Sequence, residues 1–302
     1  MPGKTEPRFP DFFIVGAPKC GTTSLAHYLS AHPKIFMSPV KEPKYFFFDA
    51  PALRVIDQLE AYQRLFAGAE PDQLCGEAST AYLYSNAAVP AILAANPAAK
   101  LIAMVRNPLE MVVSYHNQQV KDFEEDARDF AIAWQLSRER AQNRMLGPGC
   151  RDPKYLDYQW IGRLGEQIRR LKASVAQDQL HIIVFDDLCA DPQGTYRATC
   201  HFLGVAPDER SAFPIANPRT DHRWPGLARL LRRNQRLKLA MRGAFPRLSK
   251  MVGRPLRRLN ARPLDRQTLP HALRAEMIAA FKDDIRLLGE LLHRDLSHWY
   301  QP

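Results

Sequence analysis

The stretch FFIVGAPKCGTTSL, residues 12–25, constrains the fold more than any other part of the chain. Its apolar start reads as a buried strand, Gly16 and Pro18 break it, and the residues from Thr22 onward read as the start of a helix. A strand feeding a helix through such a turn aims backbone N–H groups at one point, where the helix dipole favours an anion. The spacing from Gly16 to Gly21 matches a phosphate loop of the G-x-x-x-x-G-K-[ST] type. In that motif a lysine follows the second glycine and reaches the outer phosphates of a nucleotide. Here Thr22 takes that place and Lys19 lies inside the loop, so the turn reads as phosphate-binding but not as an ATP loop.

The rest of the chain agrees with a sheet behind that loop. Apolar runs at 12–17, 34–38, 73–78, 100–106 and 181–187 read as strands. Helical patterns cover 21–31, 57–66, 87–95, 108–122, 127–143, 157–176, 193–203 and 270–293. Alternation of this kind predicts an α/β fold, a P-loop-like three-layer sandwich with a central parallel sheet and helices on both faces. With 302 residues, 46% of them hydrophobic, the chain has the apolar content for one large core. We expect one domain over 1–302, with a basic helical segment at 219–262 and a C-terminal helix at 270–295 as appendages.

Five cysteines, an odd number with no C-x-x-C pair, argue for a reducing compartment and against a disulfide framework or a zinc site. The N-terminus leads straight into the first strand, and no apolar run approaches 18 residues, so the expected location is cytoplasmic. Charge is uneven. Fourteen Lys and Arg against Asp221 alone place +13 between Arg219 and Arg262, within a total of +10. Leu227, Leu230, Leu231, Leu237 and Met241 make the helical pattern there amphipathic, which suits an anionic membrane at the inner face or an ordinary solvated helix docked by its leucines. No nucleic-acid recognition motif accompanies it.

A second informative stretch is KLIAMVRNPLEMVVSYHNQ, residues 100–118. A buried-type strand ends in Arg106, Pro108 is placed to start a helix, and Ser114 lies eight residues after the arginine. Arginine's planar fork suits a phosphate monoester, so Arg106 and Ser114 form a candidate second phosphate site. On a parallel sheet the loop, Glu77 and Arg106 all fall at carboxyl ends of strands, the edge where open α/β sheets bind ligands.

Three motifs, PKCGTTSL, VRNPLEMVVSYH and VFDDLCADPQGTYRATCHFLGV, resemble in type and order those of the sulfotransferases that use 3′-phosphoadenosine 5′-phosphosulfate. The likeness spans residues 12 to about 205 and is nearest to the glycan, heparan sulfate-type branch and its bacterial relatives. It implies a donor loop made of Pro18, Lys19, Cys20, Gly21, Thr22, Thr23 and Ser24, with Arg106 and Ser114 on the 3′-phosphate. It implies adenosine 3′,5′-bisphosphate as product and no metal. Lys19 would offset charge on the leaving group. Arg219 and Arg223, in ANPRTDHRWPG, stand where the family closes a loop over the nucleotide.

In SPVKEPKYFFFD, residues 38–49, Lys41, Glu42 and Lys44 precede a run of aromatics. The glycan branch is similar here and uses its glutamate as general base, which the resemblance carries to Glu42; a surface ion pair with Lys41 or Lys44 is the bland alternative. Lys44, Glu77, Ser79, Tyr82 and His116 are candidate acceptor contacts. Where the heparan branch carries a lysine after the glutamate of GEASTAYLYS, Ala78 stands instead, which leaves a neutral glycan, a lipid-linked sugar or another hydroxyl open.

Two other classes compete. HIIVFDD ends in Asp186 and Asp187, a possible Mg²⁺-binding carboxylate pair for a P-loop kinase or triphosphatase. The family likeness instead makes that segment structural. A non-catalytic glycan- or membrane-binding module is the other class. Trp299 reads as a packing anchor.

Overall fold

The computed structural model describes residues 8–214 and 269–301, and the backbone of 220–222 and 261–263. Five parallel strands form the central sheet: β1 Phe12–Gly16, β2 Ile35–Met37, β3 Leu74–Ala78, β4 Lys100–Val105 and β5 Leu180–Val184. Their order is β2-β3-β1-β4-β5. Every residue of β1 and all but the first of β4 are buried, so both faces of the sheet are covered. That matches the layered α/β expectation. A separate antiparallel pair joins β6 Thr220–His222 to β7 Ala261–Pro263.

The covering helices are α1 Thr22–Leu29, α2 Leu59–Gln63, α3 Ala88–Ala95, α4 Pro108–Lys121, α5 Phe130–Ala141, α6 Tyr158–Gly162, α7 Leu164–Ser174, α8 Phe185–Ala190, α9 Pro192–Leu203 and α10 His271–Leu292. α4 begins as the sequence predicts, with Pro108 in its first turn and the Asn107 side chain accepting the Leu109 N–H.

Two segments differ from expectation. The helix expected over 157–176 breaks at Arg163, whose ψ of 69° is not helical, and restarts as α7. Asp284 of α10 supplies the cause: its carboxylate accepts the Gly165 and Glu166 N–H groups at 2.7 and 2.9 Å and caps the new helix end. The strand expected over 181–187 stops at Val184, and Asp186 and Asp187 fall in the first turn of α8, where the helix dipole favours acids.

The C-terminal helix, expected as an appendage, is part of the packed body. Leu273, Met277, Phe281, Ile285 and Leu288 recur along one face of α10 and are buried. Phe281 meets Trp134 of α5 edge-on at 5.5 Å, and truncating such a buried ring costs about 3–5 kcal/mol. The basic helix expected between Gly226 and Arg242 lies outside the described residues.

Parallel strands put all carboxyl ends on one edge, and the order places β1 between β3 and β4. The turn after β1 is therefore flanked by residues 78–83 on one side and by Arg106 on the other. Leu83 N–H donates to the Val15 carbonyl at 2.8 Å and Ala17 N–H to the Met104 carbonyl at 2.6 Å, which fastens it to both.

Candidate active site

The turn after β1 has a backbone that only certain residues tolerate. Gly16 has φ 149°, and a Cβ there would stand 2.7 Å from both Leu83 Cβ and the Thr80 carbonyl oxygen. Gly21 has φ 87°, and its Cβ would meet Leu188 at 2.8 Å. Between them Lys19 also adopts a left-handed φ of 63°. Left-handed residues alternating with ordinary ones turn successive N–H groups toward a shared concavity that suits an anion. Gly21 caps α1 with no side-chain hydrogen bond, so the first N–H groups of the helix are free of side-chain caps. Thr22 is buried, while Thr23 and Ser24 are half-buried at the helix start.

Cys20 contributes only backbone here: its thiol is buried, bonds to the Pro18 carbonyl at 3.4 Å, and is pushed up to about 12 by burial. The half-buried Lys19 ammonium donates to Gln118 at 3.0 Å. Burial lowers it to about 8, opposed by Asp122 and assisted by Lys121, Lys41 and Arg106. At neutral pH it is mainly charged and costly to leave without an anion.

α4 faces this loop with one stripe. Glu110, Ser114 and Gln118 recur every four residues, about 6 Å apart along the axis, and so share a face. Glu110 pairs with Arg106 and Gln118 with Lys19, which places Ser114 on the face between the two cations. Arg106 is 9% exposed, donates to the Lys19 carbonyl at 3.3 Å, and stacks 4.6 Å above the Phe185 ring. The arginine at the end of β4 thus touches the loop after β1. The two sequence motifs, 87 residues apart, become one cationic corner.

The opposite wall comes from the segment after β2. Glu42 and Lys44 both have left-handed backbones, φ 57° and 53°, uncommon for residues with side chains and costing of order 1–3 kcal/mol each. Neighbours hold them there. Glu42 N–H donates to the Ala78 carbonyl at 3.0 Å, while Thr80 N–H and hydroxyl donate to the Glu42 carboxylate at 3.1 and 3.0 Å. Lys41 pairs with the same carboxylate at 3.0 Å, yet the Glu42 side chain remains 25% exposed. Burial alone would raise its pKa, but Lys41, Lys44 and the bonds from Lys41 and Thr80 outweigh burial and hold it below the ordinary carboxylate value. Glu42 is an ionised, reachable carboxylate. The Lys44 ammonium donates to the Tyr155 hydroxyl at 2.7 Å, and Arg151 lies 5.8 Å from the same ring.

Burial corrects several expected acceptor contacts. Glu77, Ser79, Tyr82 and His116 have no exposed surface, so they sit in the core and not on a surface an acceptor touches. His116 bonds to the Ala127 carbonyl at 2.8 Å and packs against Phe130 and Tyr158. Arg219 and Arg223 lie outside the described residues. Asp186, the metal ligand of the triphosphatase alternative, accepts the Trp299 indole N–H at 2.9 Å, and Asp187 pairs with Arg294. Trp299 is buried, the packing role expected of it. Among the described residues no three His, Cys, Asp or Glu side chains group as a metal site. The sequence singles out Thr80 at the strand end in GEASTAYLYS, and Gln118 closes the stretch that carries Arg106 and Ser114, but Tyr155 and Arg151 lie in no stretch that carries a signal.

Known proteins share this architecture. The model of the sulfotransferase domain matches residues 9–217. The bifunctional heparan sulfate N-deacetylase/N-sulfotransferase 2 of Homo sapiens is 27% identical over 216 residues, 68% of this chain and 23% of that protein. Carbohydrate sulfotransferase 15 of Mus musculus is 28% identical over 274 residues, 72% of this chain and 48% of that protein. The chain therefore spans less than half the length of these curated relatives. A sulfotransferase crystal structure from Alicyclobacillus acidocaldarius aligns with 97% of this chain and 100% of its own, at 27% identity and a TM-score of 0.72. The three-motif resemblance is borne out: a phosphate loop with an internal lysine, an arginine at the neighbouring strand end and a family match across both place the chain in the sulfotransferase domain family.

Proposed function

We propose that the protein moves a sulfuryl group from 3′-phosphoadenosine 5′-phosphosulfate to a hydroxyl or amine of a carbohydrate. One observation carries this reading. Lys19 with the N–H groups of the loop, Arg106 with Ser114, and the ionised Glu42 all gather at one sheet edge, and Lys41, bonded to Glu42, is near enough to depress Lys19.

Each group then has one task. The loop and the N-terminus of α1 hold the 5′ end of the donor, and Arg106 with Ser114 holds the 3′-phosphate. Glu42 takes the proton from the acceptor as its oxygen or nitrogen bonds to sulfur, and the sulfur–oxygen bond to the nucleotide breaks. Lys19 offsets the charge left on the departing bisphosphate. The carbohydrate acceptor is supported by the glycan substrates that the names of the two relatives give and by the position of Glu42, with Lys44 and Tyr155 beside it. Five free cysteines support a cytoplasmic location. No described helix is long and apolar enough to cross a membrane. Contact of segment 219–262 with anionic lipid is a separate reading, and sedimentation with liposomes of matched neutral and anionic composition decides it.

The test is incubation with the donor and a panel of neutral and anionic glycans, aryl alcohols and lipid alcohols, read by mass spectrometry. Sulfated glycan is expected. Sulfation of only an aryl or lipid alcohol would overturn the acceptor, and phosphate transfer from ATP would overturn the reaction.

A further inference from the structure

Glu77 is a fully buried carboxyl with no acceptor role left to it, and its surroundings are unusual. One oxygen, Oε2, accepts the Tyr62 hydroxyl at 2.6 Å and the Tyr82 hydroxyl at 3.1 Å, while the buried Oε1 has no hydrogen-bond partner among the described residues. A hydroxyl has one hydrogen and two lone pairs. Spending the hydrogen on Glu77 leaves each tyrosine oxygen free to accept, and one of them accepts from the segment that carries Glu42. The Tyr82 hydroxyl takes the Phe46 N–H at 3.2 Å, and Ser79 Oγ, two residues along the chain from Glu77, takes the Lys44 N–H at 3.1 Å. Tyr62 stacks its ring on Tyr45 at 4.4 Å and 15°. Tyr45 and Phe46 are consecutive, and each is tied to the same carboxyl through one tyrosine.

We propose that Glu77 is a positioning residue, which sets the left-handed backbone of the segment carrying Glu42 and Lys44 through Tyr62 and Tyr82. An apolar residue at 77 would leave two hydroxyls to find other acceptors in the core, and a hydroxyl that turns its hydrogen elsewhere no longer presents a lone pair to the N–H. The proposal deepens the reading of Glu42 as the base and rests on it, but its structural half is measurable without turnover.

The test uses the full chain with Glu77→Leu, Glu77→Gln and Tyr82→Phe. Three readouts are taken: kcat at saturating donor, affinity for adenosine 3′,5′-bisphosphate, and amide exchange of peptides covering residues 42–46. Glu77→Leu is expected to lower kcat about 10²-fold, the effect of a misplacement of about 1 Å, and Tyr82→Phe about tenfold. Glu77→Gln, which keeps a carbonyl acceptor, falls less than Glu77→Leu. Bisphosphate affinity stays within about twofold, and exchange in 42–46 quickens. If Glu77→Leu does not fold, Glu77→Gln and Tyr82→Phe carry the test. Unchanged exchange in folded variants, or bisphosphate affinity falling in step with kcat, would overturn the proposal. Faster exchange in the variants, with a parent protein that transfers no sulfuryl group, would sink the functional reading and leave the positioning role standing.

Discussion

The two walls of the site are built differently. The wall proposed for the donor is backbone: a turn between β1 and α1, with N–H groups as its main hydrogen-bond donors and Arg106 held beneath it by the Lys19 carbonyl and Phe185. The wall proposed for the acceptor is side chains on a strained segment, where Glu42 and Lys44 have left-handed backbones and Thr80 bonds to Glu42, Ser79 to the Lys44 N–H and Tyr82 to the Phe46 N–H. A backbone cradle recognises any group with the charge pattern of a phosphate. A wall held by side chains can be remodelled one residue at a time, so specificity for the acceptor has its natural place there.

The first prediction separates the walls by role. Glu42→Gln should lower kcat by roughly 10² to 10⁴ and leave bisphosphate affinity unchanged, since it removes a proton acceptor and no donor contact. Loss of affinity on calorimetry would join the two walls and break the comparison. Lys19→Ala should lower kcat by roughly 10² to 10³, as loss of one charge-stabilising donor does. In the parent protein kcat/KM should fall as pH rises through about 8, where Lys19 loses its charge. A profile flat to pH 9.5 would remove that role.

Beneath the wall proposed for the acceptor, burial pushes Glu77 up to about 7 from 4.5, against hydrogen bonds from Tyr62 and Tyr82. A raised carboxyl makes the folded state bind more protons than the unfolded one between those values. Its contribution is complete below pH 4.5 and lost as pH rises through about 7, to a limit of about 3 kcal/mol. Denaturant unfolding at pH 5 and pH 8 should show that loss in the parent and not in Glu77→Gln. The smallest effect belongs to Thr80→Val, which removes one hydrogen bond to the Glu42 carboxylate, worth about 1 kcal/mol. The Glu42 pKa rises, and the acid limb of kcat/KM moves to higher pH; a limb that stays in place would mean that Lys41 and Lys44 alone set it.

The same contrast decides how much was legible in the chain. Gly16, Lys19 and Gly21 were readable because a phosphate loop is a local motif, its geometry written into six residues. Arg106 was readable because it ends an apolar run before Asn-Pro. Thr80 and Tyr155 reach the acceptor wall from 38 and 111 residues away, and no local spacing encodes such contacts. Glu77, Ser79 and Tyr82 stood out as polar residues at a strand end, but their burial follows from the packing of α2 and of the segment after β2. The break at Arg163 was hidden for the same reason, since its cap comes from Asp284. Phe185 continued an apolar strand pattern, and the acids after it could mark a strand end or a helix start.

The most direct test of the account is calorimetric titration with adenosine 3′,5′-bisphosphate, set beside ADP with and without Mg²⁺. The account predicts tight binding of the bisphosphate that does not depend on Mg²⁺ and weakens at least tenfold in Arg106→Ala, about 1.4 kcal/mol. Preference for ADP with Mg²⁺, or bisphosphate binding indifferent to Arg106, would contradict it.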